Sequence, residues 1–201
     1  MAYRLNDEPI PPEGGDDEVQ RCQALLCNGS PPQQRAAAAR LIELRAETAL
    51  LECLHSSHPR AVELATGGLW ECWMNEQGPS ARRAMERGIR KMDQGDLPGA
   101  LEIFGSLIET YPGWAEAHNK QATVLYLLGN PRLSYKACEV VVSLKPKHFG
   151  AWNGMALCAA QMERWRAVLR AARQAFSLQP SASANLDLIR LAEAKLEEEN
   201  R

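Results

Sequence analysis

The chain has 201 residues, 45% hydrophobic and 24% charged, which suits one domain with an ordinary share of burial. Its net charge of −2 excludes recognition of a nucleic acid or a membrane surface by bulk electrostatics. The longest apolar runs, Val140 to Val142 and Gly154 to Ala160, fall well short of the ~20 residues a membrane helix requires.

Residues 1–15 read as a disordered arm: Met1 to Asp17 holds three prolines, two glycines and five acidic residues. That composition lacks the charged start and apolar core of a secretory signal and is too acidic for a transit peptide. It points to a soluble cytoplasmic protein; an organelle interior, chloroplast or mitochondrion, reached through a presequence outside this sequence would read the same way. Six cysteines with no C-x-x-C pair fit buried thiols in an intracellular, reducing compartment.

Residues 16–80 are expected to form a cap of three helices. Val19, Cys22, Leu25 and Leu26 recur at helical spacing up to Cys27, and Asn28-Gly29-Ser30-Pro31-Pro32 breaks the pattern. Gln33 to Leu54 reads as one uninterrupted helix with Leu41, Leu44, Leu51 and Leu54 along a stripe. Pro59 suits the first turn of the next helix, where its missing N–H costs nothing. Within that helix Gly67-Gly68 predicts either a kink or close approach of another helix. Trp70 and Trp73 are expected to wedge the cap onto the first repeat, or to form an exposed edge for self-association. Cys53, His55 and His58, with Cys72 downstream, lack the tight repeated spacing of a zinc site, so no metal or cofactor is expected.

Pro112, Pro146 and Pro180 lie 34 residues apart and divide 81–182 into units 81–114, 115–148 and 149–182. Each unit holds two amphipathic segments around a short turn, at Gln94-Gly95-Asp96, Leu128-Gly129-Asn130 and Met162-Glu163-Arg164. Small residues recur at the eighth position (Gly88, Ala122, Ala156), where two helices of a hairpin must come close. Large apolar groups fill neighbouring slots: Phe104, Leu107, Tyr126, Trp152, Leu157 and Trp165. This pattern resembles the tetratricopeptide repeat (TPR). The first unit departs from it with Ala84 and Arg87 in place of Trp and Leu, and the third with Glu163 in place of the turn glycine. Leu69-Trp70-x-x-Trp73, the stretch from Trp114 to Asn130, and Pro146 to Ala151 are similar to a group of small TPR proteins of bacteria and photosynthetic eukaryotes. The resemblance implies an all-α fold, a right-handed α-solenoid of three helical hairpins. An N-terminal helical cap precedes it, and residues 183–201 form a C-terminal capping helix with a frayed tail.

The family pattern also places the first helix of each unit on a concave face. The inward residues it implies for a partner-binding groove are Met85, Ile89 and Met92, then Asn119, Thr123 and Tyr126, then Asn153 and Leu157. Asn119 and Asn153 share one slot, where an amide can both donate to and accept from an extended peptide. TPR co-chaperones that clamp acidic chaperone termini use Lys, Asn and Arg at slots occupied here by Met85, Ile89, Gly150 and Gly154, so a two-carboxylate clamp is not expected.

Four histidines pair with no nucleophile and no Gly-rich phosphate loop occurs, so no catalytic residue is assigned. The reading is a non-enzymatic adaptor or scaffold that binds an unidentified protein or peptide partner, in complex assembly. The alternative is an RNA- or ribosome-associated factor using Arg83, Arg87, Arg90 and Lys91, with Arg164, Arg166, Arg170 and Arg173 marking the third unit.

Overall fold

The computed structural model describes residues 15–200, so the expected arm lies outside the described residues up to residue 14. Among the described residues there are eleven α-helices and no strand. They fall into two compact units, one ending at Leu69 and one beginning at Trp70.

The first unit contains α1 (Gly15–Asn28), α2 (Pro31–Glu43), α3 (Glu47–Cys53) and most of α4 (Pro59–Met74). Pro31 and Pro32 occupy the opening of α2, and the Gln33 side chain reaches back to accept the Ser30 N–H at 2.8 Å, a reciprocal cap. The helix expected to run unbroken from Gln33 to Leu54 is instead two, and the 16–80 region holds four helices rather than three. The break is at Arg45, which takes φ 51° while Ala46 N–H bonds back to the Leu41 carbonyl at 2.9 Å. A left-handed arginine costs about 1–2 kcal/mol, and the packing of α3 against both α1 and α2 offsets it. No glycine or asparagine announces the turn.

Gly68 settles the other open question in this unit. A Cβ there would lie 3.1 Å from Leu50 Cδ2 and 3.4 Å from Ile42 Cγ1, while one at Gly67 would meet nothing. The glycine serves close helix packing, and α4 runs through it as one element. Cys53 Sγ lies 3.1 Å from Cys27 Sγ, and burial pushes the Cys53 thiol up. His55 and His58 are exposed, and among the described residues no three His, Cys, Asp or Glu side chains converge as a metal site.

The second unit is the solenoid. Its hairpins are α5 (Gly78–Asp93) with α6 (Leu97–Thr110), α7 (Ala115–Leu127) with α8 (Pro131–Leu144), and α9 (Phe149–Gln161) with α10 (Trp165–Leu178). The final helix, α11 (Ser183–Glu199), packs on α9 and α10 as a further first helix would. Besides touching its own partner, each first helix touches the next, α5 with α7, α7 with α9 and α9 with α11. The helices therefore form two layers.

Each hairpin turns in the same way. Gly95, Gly129 and Glu163 take φ of 81°, 73° and 54°, and the next residue's N–H bonds back to the carbonyl of Lys91, Leu125 or Ala159 at 2.9 Å. Asp96 and Asn130 then cap the second helices through Gly99 N–H and Leu133 N–H. Hairpin closure depends on the eighth position. Phe104, fully buried, lies so near Gly88 that a Cβ there would be 2.5 Å from its ring. In the second hairpin Ser134 donates its hydroxyl to the Ala122 carbonyl at 2.8 Å.

Three outcomes follow for stability. Gly88→Ala should lower it by roughly 1–3 kcal/mol, because the aromatic ring has to leave its rotamer or the helices must part. Glu163→Gly should raise it by up to about 1 kcal/mol, the relieved left-handed strain less glycine's larger unfolded-state entropy. Gly129→Ala should lower it by about 1 kcal/mol. Urea denaturation of the three variants measures each shift, and an unchanged midpoint for Gly88→Ala would contradict the packing argument.

Candidate functional site

The predicted groove residues separate into three groups. Asn119, Thr123 and Tyr126 of α7 and Asn153 and Leu157 of α9 line one cavity of about 230 Å³. Ile89 and Met92 are half-buried against the α5–α6 core and do not line it. Met85 differs from the expectation: it is fully buried between α5, α6 and α7, so it serves the core and cannot face a ligand.

The cavity is smaller than the roughly 300–1,000 Å³ of sites that enclose whole small molecules. Ser134, Cys138 and Cys158 of the hairpin cores form its floor, and Gly150 and Gly154 its low wall. The Cys158 thiol donates to the Ser134 hydroxyl at 3.1 Å, and a Cβ on Gly154 would lie 3.1 Å from Cys138 Sγ. Burial pushes the Cys138 thiol up to about 12 and raises Cys158 as well, so neither offers a thiolate near neutral pH. What the cavity presents is an apolar slot rimmed by the Thr123 hydroxyl, the Tyr126 ring and the Asn153 amide.

Both asparagines are already engaged. Asn153 donates to the Asn185 side-chain oxygen of α11 at 2.8 Å. Asn119 is buried and its amide donates to Glu116 Oε2 at 3.2 Å.

That carboxylate is the centre of a polar cluster which sequence reasoning did not find. Glu116 and His148 are both fully buried, and His148 Nε2 lies 3.0 Å from Glu116 Oε2. His148 also caps α9, its Nδ1 accepting the Ala151 N–H at 3.1 Å. Because Nδ1 is an acceptor, Nε2 carries the hydrogen and donates to the carboxylate. Lys120 Nζ stands 3.1 Å from Glu116 Oε1 and 5.3 Å from the centre of the Trp70 ring. Trp73 stacks on the His148 imidazole, with centroids 4.2 Å apart, and its carbonyl accepts the Trp114 indole N–H at 2.8 Å. Trp70 meets Trp73 and Phe149 edge-on. Trp73 is 1% exposed and belongs to the core at the starts of α7 and α9, while Trp70 beside it is half-buried. The available signal was Glu116 in the first turn of α7, where a carboxylate favours the helix dipole, followed 32 residues on by a histidine at the start of the following hairpin, α9.

The basic residues are more dispersed. Arg83, Arg87 and Arg90 are exposed along α5, with Arg83 bonded to Ser80 at 3.0 Å. Lys91 is half-buried and paired with Asp96.

Burial alone would raise the Glu116 pKa, but the His148 hydrogen bond and the Lys120 charge outweigh it and hold the carboxyl below its ordinary value. A group depressed on folding contributes fully above its unfolded pKa, ~4.3, and loses that contribution as pH falls through the folded value. Wild-type stability should therefore drop in acid below about pH 4.3. Glu116→Gln should cost about 3 kcal/mol at neutral pH and show a shallower acid loss. Urea titrations from pH 3 to pH 7 measure both, and parallel profiles would remove Glu116 from this role.

No family model matches the chain. It is 25% identical over 124 residues to a TPR repeat-containing protein of Rhizobium etli, covering 62% of this chain and 61% of that one. It is 31% identical over 78 residues to Tetratricopeptide repeat protein 36 of Danio rerio, covering 39% of each. The chain thus spans less than two thirds of the length of these relatives. Among solved structures, the first TPR of Spaghetti (RPAP3) bound to the HSP90 peptide SRMEEVD superposes with a TM-score of 0.56 at 14% identity, covering 57% of this chain and 90% of that one. The 34-residue hairpins, their shared turns and these likenesses agree: the chain has the tetratricopeptide-repeat fold.

Proposed function

We propose that this chain is a non-enzymatic protein-interaction adaptor that holds a segment of a partner polypeptide against the inner layer of its repeats. The observation that carries the reading is the cavity between α7 and α9, with Thr123, Tyr126, Asn153 and Leu157 on its lining. Its size suits one apolar side chain of a bound segment rather than a cofactor. The rim hydroxyls and amide can pair with the segment's backbone. The fold neighbour described as bound to an HSP90 peptide supports this use of a TPR surface. In this chain Met85, Ile89, Gly150 and Gly154 stand where an acidic-terminus clamp carries charge, so the partner segment is neutral and apolar-centred. Among the described residues no helix is long and apolar enough to cross a membrane. The six free thiols fit a reducing compartment.

The decisive residues are those whose side chains do not join helices; the Thr123 hydroxyl donates to the Asn119 carbonyl of its own helix at 3.0 Å. Replacing Asn119 would disturb Glu116, so the test uses Thr123→Arg with Leu157→Arg, which fills and charges the slot. Partners captured from native extract by the wild type, with nuclease present, should be lost by the double variant. Its helicity and melting temperature should stay within a few degrees of wild type. Full retention of every partner by a folded variant would overturn the groove. Loss of all partners on nuclease treatment, or on Arg83→Glu with Arg87→Glu, would favour the RNA-associated reading instead.

A further inference from the structure

The outer layer of the repeats carries a feature that the groove does not use. The second helices of the last two hairpins, α8 and α10, border an open cleft of about 850 Å³. Arg132 and Lys136 stand on the α8 side, Arg164 and Arg170 on the α10 side, and Glu139 is the lone acid on its lining. Four cations less one anion leave the cleft at +3, in a chain whose net charge is −2. Several basic side chains elsewhere are neutralised, Arg82 by Glu71 and Glu86, Lys120 by Glu116, Lys145 by Glu76 and Arg173 by Glu193. Among the described residues none of the four cleft cations has an acidic partner within 4.0 Å.

The cleft is built as well as charged. The Arg164 guanidinium lies 5.6 Å from the centre of the Tyr135 ring, an arrangement that holds the cation while its in-plane N–H donors stay usable. Apolar surface adjoins it. Leu133, 48% exposed, is on the lining, and a contiguous cleft of about 560 Å³ shares Tyr135, Glu139 and Arg170 and reaches Trp152 and Met155.

We propose that this cleft docks an acidic peptide segment with interspersed apolar side chains, carboxylates meeting the four cations and apolar groups meeting Leu133 and the Trp152–Met155 recess. Charge complementarity selects an anionic occupant. A nucleic acid fits less well, because the aromatic ring at the heart of the cleft, Tyr135, is 9% exposed and faces the Arg164 guanidinium, while Leu133 and Met155 offer aliphatic surface that suits peptide side chains better than bases. This second surface is independent of the inner groove.

The test is fluorescence anisotropy on the full chain with a fluorescein-labelled peptide of alternating Glu and Leu, run beside labelled oligouridine. The peptide should bind at low salt and weaken as salt rises. Arg132→Glu with Arg170→Glu should reduce its affinity tenfold or more. Tyr126→Ala in the groove and Arg83→Glu with Arg87→Glu on α5 should leave peptide binding unchanged, which separates failure here from failure of the groove. If the charge-reversed pair does not fold, Arg132→Gln with Arg170→Gln should still give a loss of several-fold. Equal peptide affinity in wild type and the charge-neutral pair overturns the proposal, as does absence of peptide binding. Tighter binding of oligouridine that depends on the same arginines also overturns it.

Discussion

The hydrogen bond from His148 to Glu116 is the contact on which the middle of the solenoid depends. A fully buried carboxylate is tolerated only when its charge is met by donors, since leaving it unpaired would cost several kcal/mol. Here the donors come from different parts of the fold: His148 from the start of the next repeat, Asn119 and Lys120 from the following turns of the same helix. The imidazole has a second task, accepting the Ala151 N–H and so opening α9. One ring therefore ties the beginning of α7 to the beginning of α9 and fixes where both helices start. Trp73 stacked on that ring and Trp70 beside Lys120 exclude the water that would weaken the pair.

This arrangement bears directly on what the inner layer can bind. The amide of Asn119 is committed to the buried carboxylate within α7, and that of Asn153 joins α9 to Asn185 of α11. Chemistry toward a partner falls to Thr123, Tyr126 and Leu157, and to the lone pairs that the amides leave open. Gly150 also serves the cluster, since a Cβ there would lie 2.7 Å from the Trp70 ring. The glycines that remove a chaperone-type clamp from this face thus have a packing reason.

Repeats conserve their joints by reusing the same physical devices with different residues. A left-handed residue closes every hairpin, as glycine twice and as glutamate once. A ring nitrogen at the same slot reaches the carbonyl of the repeat-ending proline, from His118 to Pro112 and from Trp152 to Pro146. Charge is distributed less evenly. Most cations near the inner layer and the hairpin ends are paired, while those bordering the cleft between α8 and α10 are left to the solvent or a ligand.

The sequence by itself determined the helical hairpins, their 34-residue period and the close approach at Gly88, Ala122 and Ala156. Those features are local: periodicity of apolar residues, turn chemistry and small side chains act within one or two neighbouring helices. Only the tertiary structure decided that Met85 is core, that Arg45 breaks a helix without a glycine, and that Trp73 lies against His148. The physical reason is rotational. Each residue turns a helix face by about 100°, so a small change in how a helix seats moves a side chain from groove to core. The partner of a buried carboxylate is chosen by that seating across a full repeat, which no spacing within a single helix records.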